Sequence, residues 1–377
     1  MDARFTERGR LSSAHFVRPD HSEMTIRHVP RGGRVVEVVR PDHTRIVVMG
    51  AHRGYVERPI IVRPGYISRT YVLGGRPYVR VYRSYHYRNV VYYRYVPAFY
   101  YQPAFYGWAY DPWRAPVVYR WGWMSQPWYG YYGPYFAPAP MYPSAALWLT
   151  DYLLAENLRL AYENRQLARE NRAAEREAYA DEAMPLTSNA TITPDIKMAI
   201  AEEVKQQLAA ERALAGQPAS SMPQVSSNEE LPPALDPKQR IFIVSTSLDV
   251  NVGGEDCALT PGDILVRTGD TLVDGNKVTM SVMSSKAGNC KAGANTAIEV
   301  AELQEMQNQF REQIGSGLKA LADNQGKGDV PAGPAANPRD VAEGTATPDV
   351  GAESQLSAQF QEAEEAESAV QKAAGSE

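Results

Sequence analysis

The chain reads Val39-Arg40-Pro41-Asp42-His43-Thr44-Arg45-Ile46-Val47-Val48-Met49-Gly50 between residues 39 and 50. A Pro-Asp turn signal stands directly before a run of β-branched residues. The first five residues of this stretch, Val-Arg-Pro-Asp-His, also occur at residues 17–21. Because proline and aspartate suit the two central positions of a type I turn, the repeat predicts two similar turns, each followed by a strand.

Turn signals of this kind recur along the whole front of the chain. Regular turn signals between short β-branched and aromatic runs are typical of consecutive antiparallel hairpins. We therefore predict an antiparallel β-meander within an Arg/Tyr-rich region covering residues 1–95. The signals are Pro19-Asp20, Gly32-Gly33, Pro41-Asp42, Arg53-Gly54, Pro64-Gly65 and Gly74-Gly75.

The composition changes sharply along the chain. All 23 tyrosines, six tryptophans and six histidines precede residue 180, and the first lysine is Lys197. Residues 1–143 contain 20 arginines, no lysine and eight acids, a formal charge of +12, whereas residues 326–377 have a formal charge of −7. This asymmetry indicates that the two ends bind different partners or each other. A basic front attracts anionic glycans, lipid headgroups or nucleic acid, but it also serves plain solubility.

Residues 96–143 form an aromatic, proline-rich, low-complexity segment in which the prolines argue against regular helix or central strand. One hypothesis is that its tryptophans offer ring faces to a glycan. The alternative is irregular packing of the segment against the chain's own meander. The candidate stacking residues are Trp108, Trp113, Trp121, Trp123 and Trp128.

Residues 144–215 are predicted to be helical and coiled-coil-like. Glutamate-asparagine pairs recur every seven residues at 156, 163 and 170, and leucines follow in a constant phase. Such heptads indicate either self-association through residues 144–183 or packing on another helix of the same chain. Thr193-Pro194 begins a second predicted helix, with threonine as the cap. The candidate seam consists of Leu153, Asn157, Leu160, Asn164, Leu167 and Asn171.

The back of the chain is predicted to hold one further domain. After a Pro/Ser/Gln linker at residues 216–237, short strand signals within residues 238–325 suit a small SH3-like β-barrel followed by an amphipathic helix. Residues 326–377 are predicted to be a disordered acidic tail, with a helix over 354–373 as the alternative. The predicted fold class is therefore α+β.

Cys257 and Cys290 are the only cysteines of the chain. A disulfide between them is expected to contribute roughly 3–4 kcal/mol to stability by the loop-entropy model, and it would indicate an oxidising compartment. Two free buried thiols are the alternative.

No catalytic, cofactor or metal site is predicted, because the histidines precede residue 87, both cysteines follow residue 256, and no phosphate-binding loop occurs. Arginines and tyrosines alternate over residues 76–95, but strand alternation explains this pattern without nucleic acid. The most apolar stretch, Ala145 to Ala155, is too short for a membrane span and contains Asp151. No signal peptide follows Met1; this favours the cytoplasm, unless translation starts upstream.

Four segments carry a resemblance: Phe105–Trp113, Tyr142–Leu153, Ala234–Pro237 and Leu303–Glu312. Together they resemble a family of uncharacterised bacterial proteins, over roughly residues 30–330. Members of that family typically begin with an export signal and have no assigned activity, so the resemblance implies a periplasmic or extracellular location and no catalytic residues. The expected function is that of a non-enzymatic, envelope-associated structural or interaction protein; the alternative is a glycan- or peptidoglycan-binding module.

Overall fold

The computed structural model describes residues 2–5, 11–29, 33–50, 53–73, 75–174, 191–217, 230–327 and 329–374. The chain divides into two units, each assembled from segments that are distant in sequence. Unit 1 contains residues 1–84, 164–177 and 342–377, and unit 2 contains residues 85–163 and 178–341. Helices and antiparallel sheets both occur, so the predicted α+β class is confirmed.

The predicted N-terminal β-meander is confirmed. Nine strands follow one another in a single sheet in the order of the sequence, and each pair from the first to the eighth strand is antiparallel. The strands are β1 Asp2–Phe5, β2 Leu11–Val17, β3 Glu23–Val29, β4 Gly33–Val39, β5 Arg45–Gly50, β6 Arg53–Pro59, β7 Tyr66–Leu73, β8 Arg76–Tyr87 and β9 Val90–Val96.

The repeated Val-Arg-Pro-Asp-His peptide forms the same turn twice. His21 and His43 both have a φ of 63°, a left-handed conformation that closes each turn. The carboxylate of Asp20 accepts a hydrogen bond from the Ser22 N–H at 3.0 Å, and that of Asp42 accepts one from the Thr44 N–H at 2.9 Å. Aspartate side chains stabilise turns in this way by binding the backbone two residues ahead.

One face of the meander is covered by a helix, α6, at Ala352–Ala374. Leu356 and Ala363 are buried against Met24, Ile26 and other apolar residues of β3 to β7. The prediction of a disordered tail is therefore wrong for residues 352–374. An overall acidic composition suggested disorder, but Ala352, Leu356, Ala363 and Val370 share one side of a helix, and that side is buried.

The aromatic segment is more regular than predicted. It contains β10 Phe99–Tyr100, α1 Pro103–Tyr110, β11 Pro112–Val117, α2 Pro127–Tyr132 and β12 Tyr142–Ser144. Both short helices start at a proline. Proline is tolerated in the first helical turn because the N–H that it lacks has no partner there, so the prolines begin these helices rather than prevent them.

Two long helices follow the aromatic segment. Helix α3 covers Ala145–Ala174, and α4 covers Pro194–Ala215. The Thr193 hydroxyl caps α4 by accepting a hydrogen bond from the Ile196 N–H at 3.3 Å, as the Thr-Pro pair predicts. The apolar stripe of α4 is buried; it consists of Ile196, Ile200, Val204 and Leu208.

The C-terminal β domain has a four-stranded antiparallel sheet in the order β13-β16-β17-β18 and a separate β14-β15 hairpin. An SH3-like barrel is thus not confirmed. The strands are β13 Ile241–Ile243, β14 Leu248–Val252, β15 Glu255–Leu259, β16 Ile264–Val273, β17 Lys277–Ser284 and β18 Asn295–Glu299; a short β19, Arg339–Asp340, pairs with β10.

Helix α5, Val300–Asn324, follows β18 and buries its predicted apolar face. That face consists of Leu303, Met306, Phe310, Ile314, Leu318 and Leu321. Gly317 lies where α3 and α5 approach closely, since a Cβ atom there would be 2.6 Å from Leu149 Cδ2 and 3.1 Å from Tyr152 Cδ1. Most of the predicted linker at residues 216–237 lies outside the described part of the chain. In its described part, residues 233–235 form a 3-10 turn.

Candidate functional site

The five tryptophans proposed as stacking platforms lie in the aromatic core of unit 2. Trp113, Trp121 and Trp128 are only 5–7 % exposed, so they offer no free ring face and the structure does not support them as glycan platforms. Trp108 and Trp123 are half-buried. Trp123 packs against Trp128 with ring centroids 5.1 Å apart, and Gly333 lies against the Trp108 ring.

The core of this region contains a buried carboxylate, Asp151, in the second turn of α3. Asp151 is 0 % exposed. Its Oδ2 accepts hydrogen bonds from the Ala139 N–H at 2.5 Å and from the Tyr142 hydroxyl at 2.6 Å. The Tyr142 oxygen in turn accepts one from Trp121 Nε1 at 2.7 Å. Burial, together with the neighbouring carboxylate, raises the pKa of the Tyr142 phenol, which therefore stays protonated.

Lys197, in the first turn of α4, forms a buried ion pair with Asp151. Its Nζ lies 2.6 Å from Asp151 Oδ1, donates to the Ala137 carbonyl and lies 4.8 Å from the centroid of the Phe136 ring. Burial lowers the pKa of the Lys197 amine, although the charge and hydrogen bond of Asp151 act in the opposite direction. An amine with a lowered pKa is more readily neutral and nucleophilic.

A second buried pair, Asp263 and Lys286, lies in the C-terminal β domain. Lys286 Nζ is 2.6 Å from Asp263 Oδ1 and also donates to the carbonyls of Pro261 at 2.9 Å and Thr260 at 3.3 Å. Asp263 Oδ2 accepts from the Thr260 N–H at 2.8 Å and from Asn289 Nδ2 at 2.5 Å. The turn at residues 260–263 is therefore fixed by an internal ion pair.

The two ion pairs contact adjacent residues of the aromatic segment. The Tyr135 ring lies 5.3 Å from Lys286 Nζ, and the Tyr135 hydroxyl donates to the Gly262 carbonyl at 3.0 Å. Phe136 is the ring beside Lys197. Cations held against aromatic faces are stabilised by the ring quadrupole. Tyr135-Phe136 thus connects helices α3 and α4 with the β domain inside unit 2.

The heptad residues divide into two groups. Leu153 and Asn157 are buried inside unit 2, and Asn157 Nδ2 donates to Gln313 Oε1 of α5 at 2.8 Å. For these two the structure shows packing within the chain, so they are not available as an oligomer seam. Leu160 and Asn164 are half-buried. The side chains of Leu167 and Asn171, and residues 175–183, lie outside the described part of the chain.

Cys257 and Cys290 are joined in the structure, with an S–S distance of 2.10 Å and a Cα–Cα distance of 5.1 Å. The predicted pairing is therefore confirmed. Cys257 lies within β15, and Cys290 is buried. The Cys290 N–H also donates to the Ala258 carbonyl at 2.9 Å, so the bond staples the segment after β17 to β15.

In unit 1, the charge asymmetry of the sequence appears as ion pairs between the meander and the residues around α6. Arg34 lies 2.6 Å from Glu367, Arg18 lies 2.7 Å from Glu362, and Arg58 lies 2.8 Å from Asp349. The front and the tail therefore bind each other, which is one of the two alternatives that the composition left open.

Sequence reasoning missed the two buried ion pairs. For the Asp151–Lys197 pair, the available signals were the single aspartate inside the apolar run at Ala145–Ala155 and the isolated first lysine of the chain, Lys197. Neither signal names its partner, because the pairing depends on the packing of α3 against α4.

Among the described residues, no group of three or more His, Cys, Asp or Glu side chains could hold a metal ion. Within that same part of the chain, no helix is both long and apolar enough to cross a membrane. Comparisons with protein-family models, with curated proteins and with solved structures gave no match to this chain.

Proposed function

We propose that this chain is a non-enzymatic, exported or envelope-associated structural protein. The observation that supports this most directly is the Cys257–Cys290 bond. Disulfides of this kind persist in oxidising environments such as the periplasm or the extracellular space, and they are rare in the cytosol. The resemblance to exported bacterial proteins supports the same location.

A structural role is supported by the way the core of unit 2 uses its charged side chains. Asp151 pairs with Lys197, and Asp263 pairs with Lys286, at 2.6 Å in both cases. All four side chains are buried and brace one part of the chain against another. Buried pairs of this kind specify a particular packing, and that suits a scaffold better than a site that must admit a substrate.

The burial of Trp113, Trp121 and Trp128 favours this role over glycan binding. A stacking site needs an accessible ring face. Among the five candidate tryptophans, only Trp108 and Trp123 are half-buried and so remain for a glycan site. The test is retention of the full chain on peptidoglycan. The glycan-binding alternative would be favoured if the chain is retained, if a Trp123→Ala variant is not, and if a Trp113→Phe variant is retained as well as the original.

Self-association is proposed only for the outer part of α3, from Leu160 onward. Sedimentation of the full chain at increasing concentration tests it. A concentration-dependent dimer that a Leu160→Glu variant abolishes would support an interface there, and a strict monomer at every concentration would exclude it.

The export proposal is tested by counting thiols in the native cells. Cells are treated with a membrane-permeant alkylating reagent before lysis, and the chain is then purified under denaturing, non-reducing conditions. We expect Cys257 and Cys290 to remain unlabelled, and both to become labelled when the sample is first reduced. Two labelled cysteines without reduction would show that the bond does not form in the cell and would overturn an oxidising location.

A further inference from the structure

The Asp151–Lys197 pair brings together the two functional groups of an amide. Lys197 Nζ is 2.6 Å from Asp151 Oδ1, Asp151 is fully buried, and Lys197 is 5 % exposed. We propose that these two side chains condense into an amide that covalently links α3 to α4. The proposal concerns only the chemistry inside unit 2 and is independent of where the protein is located.

The carboxyl group is held in the manner of an acyl-transfer site. Attack of an amine on Cγ moves negative charge onto the oxygen that stays, and fixed donors aimed at that oxygen lower the barrier. Asp151 Oδ2 has two such donors, the Ala139 N–H at 2.5 Å and the Tyr142 hydroxyl at 2.6 Å. Trp121 Nε1 holds the Tyr142 oxygen in place at 2.7 Å.

The Lys197 amine is held in place and is largely shielded from solvent, since Lys197 is only 5 % exposed. Its Nζ donates a hydrogen bond to the Ala137 carbonyl and lies 2.6 Å from Asp151 Oδ1, its ion-pair partner. The centroid of the Phe136 ring lies 4.8 Å from Nζ. Burial favours the neutral form of such an amine, and fixing two reactants at contact distance supplies a large effective concentration.

The ion pair contains every atom that the reaction needs. The Lys197 ammonium transfers one proton to Asp151 Oδ1, which gives a neutral amine and a neutral carboxylic acid. The nitrogen lone pair then forms a bond to Cγ. A second proton passes from the nitrogen to Oδ1, the bond between Cγ and Oδ1 breaks, and Oδ1 leaves as water. Two buried charges disappear, which removes their desolvation penalty.

The Asp263–Lys286 pair serves as a comparison for the Asp151–Lys197 pair, because its nitrogen and oxygen are also 2.6 Å apart. Here the three ammonium protons have three acceptors: Asp263 Oδ1 and the carbonyls of Pro261 and Thr260. Asp263 Oδ1 also accepts from the Lys286 N–H at 3.1 Å. Because charge-assisted hydrogen bonds satisfy both ions, this pair is expected to stay ionic.

The test is the mass of the purified full-length chain, measured denatured and reduced. We expect a mass lower than that of the sequence by one water molecule, and a branched proteolytic peptide that joins residues 151 and 197. A Lys197→Arg variant should have its full sequence mass. The matched Lys286→Arg variant should keep the loss of water.

The mass of the wild-type chain is sufficient to test the cross-link, so the test does not depend on whether a variant folds. A wild-type mass equal to that of the sequence after prolonged incubation would overturn the cross-link. A loss of water that maps elsewhere, such as to a cyclised Asp274-Gly275, would overturn it equally. An Asp151→Asn variant that loses ammonia and gives the same branched peptide would support it.

Discussion

At the scale of single residues, Lys197 is expected to have a large effect on stability. Replacing it with methionine removes the partner of Asp151, whether that partner is ionic or, as proposed above, covalent, and leaves the carboxylate buried without a cation. Breaking a buried pair in this way costs about 3–5 kcal/mol. We expect Lys197→Met to lower the free energy of unfolding by that amount in urea denaturation. The control is Lys205→Met, whose pair with Glu202 is 3.4 Å long and largely exposed, so its loss should cost less than about 1 kcal/mol. Equal effects of the two variants would contradict the buried pairing.

Two glycines of α5 give a matched pair of opposite predictions. A methyl group at Gly317 would collide with Leu149 of α3, so Gly317→Ala is expected to destabilise the chain by about 1–3 kcal/mol. A methyl group at Gly315 would have no atom of the described residues within 4 Å outside its own helix turn, so Gly315→Ala should stabilise by up to about 1 kcal/mol through helix propensity. Thermal unfolding of both variants measures the difference, and stabilisation by Gly317→Ala would mean that α3 is not packed there.

At the scale of elements, α6 is held to the meander by the carboxylate of Glu367, which contacts His28 and Arg34. Burial alone would raise the pKa of Glu367, but hydrogen bonds and charge from His28 and Arg34 outweigh it and lower the pKa below its ordinary value of 4.5. A group whose pKa is depressed by folding contributes stability above its unfolded pKa. That contribution is lost as the pH falls from 4.5 through the folded value.

We therefore expect the free energy of unfolding to fall on acidification below about pH 4.5, and a Glu367→Gln variant to lose part of this pH dependence. Chemical denaturation between weakly acidic and strongly acidic pH measures it. Glu364→Gln is the control, because Glu364 is exposed and lies 3.6 Å from Arg34. An unchanged slope in Glu367→Gln would argue against the buried contact.

The elements differ in how far the sequence predicts them. The meander and α5 were predictable because their signals are local: turn residues between β-branched runs, and apolar residues from Leu303 to Leu321 at helical spacing. Helices α1 and α2 were missed because they start at Pro103 and Pro127, and proline usually interrupts a helix. Helix α6 was predicted only as the alternative, over residues 354–373, because its apolar residues are mostly alanines and its burial depends on β3 to β7, which lie far away in sequence.

At the scale of the whole molecule, the disulfide limits how the β domain unfolds. The bond closes a loop with a sequence separation of 33 residues, which by the loop-entropy model corresponds to roughly 3–4 kcal/mol. We expect a Cys257→Ser/Cys290→Ser variant, or the reduced protein, to lose about that much stability in urea. The oxidised chain is the reference, and an equal denaturation midpoint with and without reductant would show that the bond contributes nothing.

The assembly of unit 1 from distant segments also dictates an order of events during synthesis. The strands of the meander emerge first, whereas α6 follows only after residues 85–341, which contain all of unit 2. Until then the sheet face around Met24, Ile26 and Val36 has no helix to cover it. Pairing across so many residues is slow, and uncovered apolar strands invite aggregation. The nascent chain therefore exposes this apolar face throughout the synthesis of residues 85–341, and the exposure ends when residues 352–374 dock.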